Sequence, residues 1–139
     1  YLLIDSSGSM RGEPIQSVNV GLSAMLSALR QDPYALETVH LSIITFDHEV
    51  KELLPLQPLE SAQVDDIELP RSGATHMGEG LNKVCDCVER DVRTATADQK
   101  GDFRPMLFVM TDGAPSDLMD FEAAVQRIKA MKFSATATR

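Results

Sequence analysis

The sequence has no tryptophan and only two cysteines, Cys85 and Cys87. Two thiols are too few for a disulfide scaffold. Two positions apart on a predicted helix, they point about 200° away from each other, so they neither pair readily nor share a zinc. Cys85 lies beside the apolar stripe and reads as core, Cys87 as more lateral. No apolar run approaches the ~18 residues of a membrane span. Cations are scarce: 13 Lys plus Arg stand against 21 Asp plus Glu, a net charge of −8 over 139 residues. Nucleic acids and anionic membranes reward clustered cations, so neither is expected as a partner. The balance suits a protein that holds a cation. There is no Gly-x-Ser-x-Gly elbow, no Gly-Lys-Ser/Thr phosphate loop and no internal repeat.

What is present reads as one globular domain, 43% hydrophobic and 24% charged. Tyr1-Leu2-Leu3-Ile4, Val39-His40-Leu41-Ser42-Ile43-Ile44-Thr45-Phe46 and Pro105-Met106-Leu107-Phe108-Val109-Met110 are apolar runs without alternation. Such runs are central strands covered on both faces. A further strand at 50–54 follows after only Asp47-His48-Glu49, too short a gap for a crossover, so this pair is an antiparallel hairpin. Ile15, Val18, Leu22, Met25 and Leu29 predict one helix, opened by Pro14 and ended before Pro33. Met77, Leu81, Val84, Val88, Val92 and Ala95 predict a second. Leu118, Phe121, Val125 and Ile128 predict a third, capped by Ser116 or Asp117. A short helix is expected near 62–67, and 96–104 is a polar connector. The result is an α/β domain with a mostly parallel sheet. The chain starts inside an apolar run, and 133–139 reads as the start of another strand. We therefore expect a single domain over 1–139, truncated at both ends.

Parallel sheets of this kind bind ligands beyond the carboxyl ends of their strands. Asp5, Ser7 and Ser9 are spaced by two directly after the first strand, with Gly8 allowing the loop to turn back. Thr75 lies in a polar loop before the second helix, and Asp112 ends the third buried strand in Thr111-Asp112-Gly113. Two carboxylates and three hydroxyls make a hard, all-oxygen donor set. Mg²⁺ takes six oxygens at ~2.0–2.1 Å and usually keeps waters. Such donors favour Mg²⁺ or Mn²⁺ over zinc or copper, with Ca²⁺ as the second choice. Each part also has a plain reading: a turn at 5–9, a helix cap at Thr75, a turn at Asp112. His76 reads as a surface residue at a helix start, and His40 and His48 as structural. Asp65, Asp66, Glu68, Glu89 and Asp91 read as a solvated face. Gly73, Gly78 and Gly80 read as a flexible, closely approached loop.

Taken together and in order, Asp5-x-Ser7-x-Ser9, Thr75 and Asp112 resemble the metal-ion-dependent adhesion site of the von Willebrand factor A (vWA) family. The resemblance covers essentially the whole chain. It implies a doubly wound, Rossmann-like fold with sheet order 3-2-1-4-5-6, in which an antiparallel edge strand pairs with the second strand. The family's last strand and helix would follow Arg139. Gly12-Glu13-Pro14-Ile15, Ile44-Thr45-Phe46-Asp47 and Met110-Thr111-Asp112-Gly113-Ala114-Pro115-Ser116-Asp117 further resemble bacterial tellurium-resistance vWA proteins of the TerY type. That implies a cytoplasmic, non-enzymatic module in a tellurium-resistance or stress-response system. It would bind Mg²⁺ through Asp5, Ser7, Ser9, Thr75 and Asp112, and through the metal an Asp or Glu carboxylate of a protein partner. The alternative is a metal-dependent phosphohydrolase or phosphotransferase with Asp5 as nucleophile. That chemistry wants a second carboxylate acid/base and a Lys or Arg for phosphate. Ser7 stands where such a carboxylate would be expected, and Arg11 is the only cation close in sequence to the first loop.

Overall fold

Strand β1 (Leu2–Asp5) is buried at every position and pairs in parallel with β2 (His40–Phe46) on one side and β4 (Phe108–Met110) on the other. The β2 strand turns through 47–49 into an antiparallel β3 (Val50–Pro58), as the short gap predicts. The computed structural model describes residues 1–70, 73–131 and 133, and within them the sheet order is β3-β2-β1-β4. This is the mostly parallel sheet with one antiparallel edge strand expected from the sequence.

Alternation along β1 splits the core in two. Leu2 and Ile4 pack with Ile15, Leu22 and Leu26 of α1 (Glu13–Gln31) on one face. Tyr1 and Leu3 pack on the other with Met77, Leu81 and Val84 of α3 (Met77–Asp91) and Ala124 of α4 (Leu118–Ala130). Burying each such aliphatic side chain stabilises the fold by about 1.5–3 kcal/mol before chain entropy is set against it. Helices on both faces make the sheet doubly wound. Gly12 joins the first loop to α1 at φ +85°, ψ −127°, a backbone region open essentially to glycine alone.

Several expectations need correction. Pro33 does not merely follow a helix. It begins α2 (Pro33–Thr38), with Asp32 as a cap that accepts from the Tyr34 and Ala35 amides. No helix forms at 62–67. Ala62 and Ile67 are buried against α1, where Asn19 bonds both main-chain groups of Ile67 and Arg30 reaches the Ala62 carbonyl. Those side chains supply the partners that a helix would otherwise provide. Helix α3 stops at Asp91, so Val92 is its C-terminal cap and Ala95 lies outside. Gly78 and Gly80 are buried in its first two turns and do not form a loop. The close approach inferred there does hold: a Cβ on Gly78 would lie 2.2 Å from the Phe121 backbone nitrogen. Cys87 is as buried as Cys85, and burial pushes both thiols up. Phe108 and Val109 are each 41% exposed, because β4 is the outermost strand on its side among the described residues. From 134 onward, the strand expected at 133–139 lies outside the described residues.

Candidate functional site

The three parallel strands deliver their following loops to one end of the domain. Asp5, the last residue of β1, is fully buried. Its Oδ1 accepts the Ser7 amide at 2.8 Å, and its Oδ2 accepts the Thr111 hydroxyl at 2.7 Å. Such bonds are what a buried carboxylate requires. Ser7 is also buried, and its Oγ lies 3.1 Å from the Oγ of exposed Ser9. Ser9 donates to Asp112 Oδ1 at 2.8 Å. Four of the five predicted residues therefore form one linked chain of polar groups across the ends of β1 and β4.

Thr75 is tied by its own main chain to Ser116, in the loop that follows Asp112, and not to the linked side chains themselves. The Ser116 hydroxyl accepts from the Thr75 amide at 3.2 Å and donates to the Thr75 carbonyl at 2.9 Å, and the Ser116 amide donates there as well. The loop that carries Asp112 thus also clasps the loop that carries Thr75. His76 is the N-cap of α3 and half-buried, and its Nδ1 is 3.5 Å from Glu79.

The supporting roles of four residues were not read from the sequence. Thr111 was read only as context for Asp112, yet it holds Asp5. Asp117 occupies the N-cap position of α4, as expected, but its carboxylate makes no bond to that helix and accepts from the Gly78 and Glu79 amides, capping α3 across space at 3.1 and 2.9 Å. Two and three residues C-terminal to the α3 cap, these amides lack partners within their own helix, and a carboxylate there also meets the positive end of the dipole. Ser6 and Asp47 form the third device. The Ser6 hydroxyl donates to Asp47 Oδ2 at 2.8 Å, and both residues are buried. Asp47 Oδ1 accepts the Glu49 amide at 2.9 Å and lies 2.7 Å from His48 Nδ1. Burial pushes the Asp47 carboxyl up, but the Glu49 amide, the Ser6 hydroxyl and the neighbouring His48 outweigh it and hold the group below the usual carboxylate range. A following Asp at the end of a strand was the available signal.

Among the described residues, no three His, Cys, Asp or Glu side chains gather into a metal cluster. The donors at this end are two carboxylates with hydroxyls between them. That composition fits a hard divalent cation and not zinc or copper. A groove of about 460 Å³ between α1 and the 64–66 segment, lined by Asn19, Leu26, Arg30 and Asp66 among others, contains none of these oxygens. No helix among the described residues is long and apolar enough to cross a membrane.

A doubly wound α/β domain with an oxygen cluster at the carboxyl ends of its parallel strands defines the class. Residues 1–138 match the von Willebrand factor type A domain family, and the chain belongs to it. It is 31% identical over 115 residues to the uncharacterized protein sll0103 of Synechocystis sp. (strain ATCC 27184 / PCC 6803 / Kazusa), covering 81% of this chain and 24% of that protein. The vWF domain of the type V pili tip protein Mfa5 from Porphyromonas gingivalis has the same fold, with a TM-score of 0.58 at 20% identity. That match covers 82% of this chain and 37% of the other. The chain thus spans well under half of either relative.

Proposed function

We propose that this domain is a metal-dependent protein-interaction module. Asp5, Ser7, Ser9, Thr75 and Asp112 hold a divalent cation, Mg²⁺ first, with Mn²⁺ or Ca²⁺ as alternatives. The observation that carries this reading is the spacing of the oxygens. Adjacent ligands of an octahedral ion with bonds of ~2.0–2.1 Å are separated by about 2.9 Å. Ser7 Oγ to Ser9 Oγ is 3.1 Å, and Ser9 Oγ to Asp112 Oδ1 is 2.8 Å. These same separations serve as hydrogen bonds between the side chains, so little rearrangement separates the two uses.

The charges support binding over catalysis. Asp5 and Asp112 together offset a 2+ charge, while the three hydroxyls contribute dipoles only. A cation so held supplies an electrophilic position for an incoming Asp or Glu carboxylate of a partner. Asp5 is buried at 0% exposure with both oxygens engaged, a poor posture for a nucleophile. Membership of the vWA family supports the interaction role. The resemblance of 12–15, 44–47 and 110–117 to tellurium-resistance proteins of the TerY type supports a cytoplasmic place in a bacterial stress-response system. The test is the affinity for a captured protein partner in Mg²⁺ and in EDTA, followed by Asp and Glu to Ala substitutions in that partner. Binding should need both the metal and one particular acidic residue; equal affinity in EDTA would overturn the bridge.

A further inference from the structure

Asp47 sits one residue beyond β2 and bonds to three separate segments. The first is its own turn, where Oδ1 accepts the Glu49 amide and its main-chain amide donates to the Glu49 carbonyl. A turn needs no more than this. Its second carboxylate oxygen goes elsewhere, to the hydroxyl of Ser6, 41 positions earlier in the chain. Ser6 lies between Asp5 and Ser7, two of the proposed ligands. It is held twice, because its amide also donates to the Phe46 carbonyl at 2.9 Å. The amide bond holds the Asp5–Ser6 peptide, the hydroxyl bond holds the Ser6 side chain and the Ser7 amide is held by Asp5 Oδ1, so Asp5 and Ser7 are aimed as a pair. The third bond is to the start of α3. The Asp47 carbonyl accepts the His76 amide at 2.9 Å, and His76 is covalently next to Thr75.

We infer that Asp47 is the positioning residue of the oxygen cluster, setting the Asp5–Ser7 pair against Thr75 while itself lying outside the ligand set. The inference rests on the metal reading above. Groups that hold ligands in place typically matter 10–100-fold to metal affinity even though they never touch the ion. Asp47 is suited to this because it is itself immobile. It is 3% exposed and its carboxylate is fully engaged. Ser6 and Asp47 work as one unit here, so their removal should not be additive.

The test compares wild type with Ser6→Ala, Asp47→Ala and the double variant, using MgCl₂ as the probe. Ser6→Ala spares the turn and serves if Asp47→Ala fails to fold. Calorimetry should show Mg²⁺ affinity about 10-fold weaker in each single variant and no further loss in the double. Hydrogen exchange in EDTA gives a readout free of metal. The His76 amide should exchange faster in Ser6→Ala, although Ser6 does not touch it. Wild type that binds no Mg²⁺ overturns the metal reading and this inference together. Wild type that binds, with Ser6→Ala binding as tightly and His76 equally protected, overturns the positioning role alone. So does a Ser6→Ala protein that melts earlier but keeps its Mg²⁺ affinity.

Discussion

Thr111 shows how much a single hydroxyl can carry at the residue scale. It is the side-chain donor to a fully buried carboxylate. Thr111→Val keeps the shape and removes the donor, leaving Asp5 Oδ2 short of a partner. The expected cost is about 1–3 kcal/mol, read from urea unfolding in EDTA. Thr75→Ala should behave differently. Its hydroxyl is one neutral oxygen among several, in a loop held through main-chain groups by Ser116. The substitution should weaken the partner complex more than it weakens Mg²⁺ binding; equal losses would argue against a role at the partner contact. The linked residues Asp5, Ser7, Ser9 and Asp112 were legible because local spacing and strand ends reveal them. The roles of Asp47 and Asp117 were not, because the partners that define them lie 38–41 positions away.

At the scale of elements, α3 and α4 meet through Gly78 and Asp117. Helix propensity alone would make Gly78→Ala stabilising by up to ~1 kcal/mol. The added Cβ would meet the α4 backbone at Phe121, where no flexible side chain can give way. Gly78→Ala is therefore expected to destabilise by roughly 1–3 kcal/mol, measured by thermal unfolding. Asp117→Ala removes the cross-helix cap and should cost about 1 kcal/mol. Faster hydrogen exchange confined to the Gly78 and Glu79 amides would identify the cause. The helices with sustained 3.6-residue periodicity were readable, and so was the hairpin, whose short turn permits nothing else. Helix α2 was missed because six residues are too few to show a period. The segment at 62–67 was misread because its apolar residues are buried by tertiary packing, with Asn19 and Arg30 answering its main chain. The end of α3 was overrun because Val92 packs on the core as a helical residue would, from the cap position.

For the whole molecule, acidic character shapes stability. Arg90 hydrogen-bonds Glu52 of β3 and its neighbour Asp91, tying α3 to the sheet edge. Those bonds hold both carboxyls below their usual range, and Asp47 is depressed as well. A depressed folded-state pKa means that the unfolded chain takes up protons first as pH falls. The stabilisation is fully present above the unfolded values of about 3.9–4.3 and is lost as pH drops through the lower folded values. The melting temperature should therefore change little through these groups between pH 5 and 7 and fall below about pH 4. Glu52→Gln should lower the plateau and flatten that fall, as followed by circular dichroism. The mostly parallel sheet and its two-faced core were legible at this scale because buried strands alternate with amphipathic helices along the chain, whereas the strand order came only from the family resemblance. The exposure of β4 was not, because a strand's burial depends on what lies beside it.

Whether oxygens from three loops hold one divalent cation is decided by calorimetric titration of MgCl₂ into metal-free protein, with Asp112→Ala as the comparison. Asp112 is exposed and lies beyond the core, so the variant should fold. Saturable binding at one site per chain is expected in the wild type, weakened at least tenfold in the variant. No saturable heat in the wild type, or equal affinity in the two proteins, would contradict it.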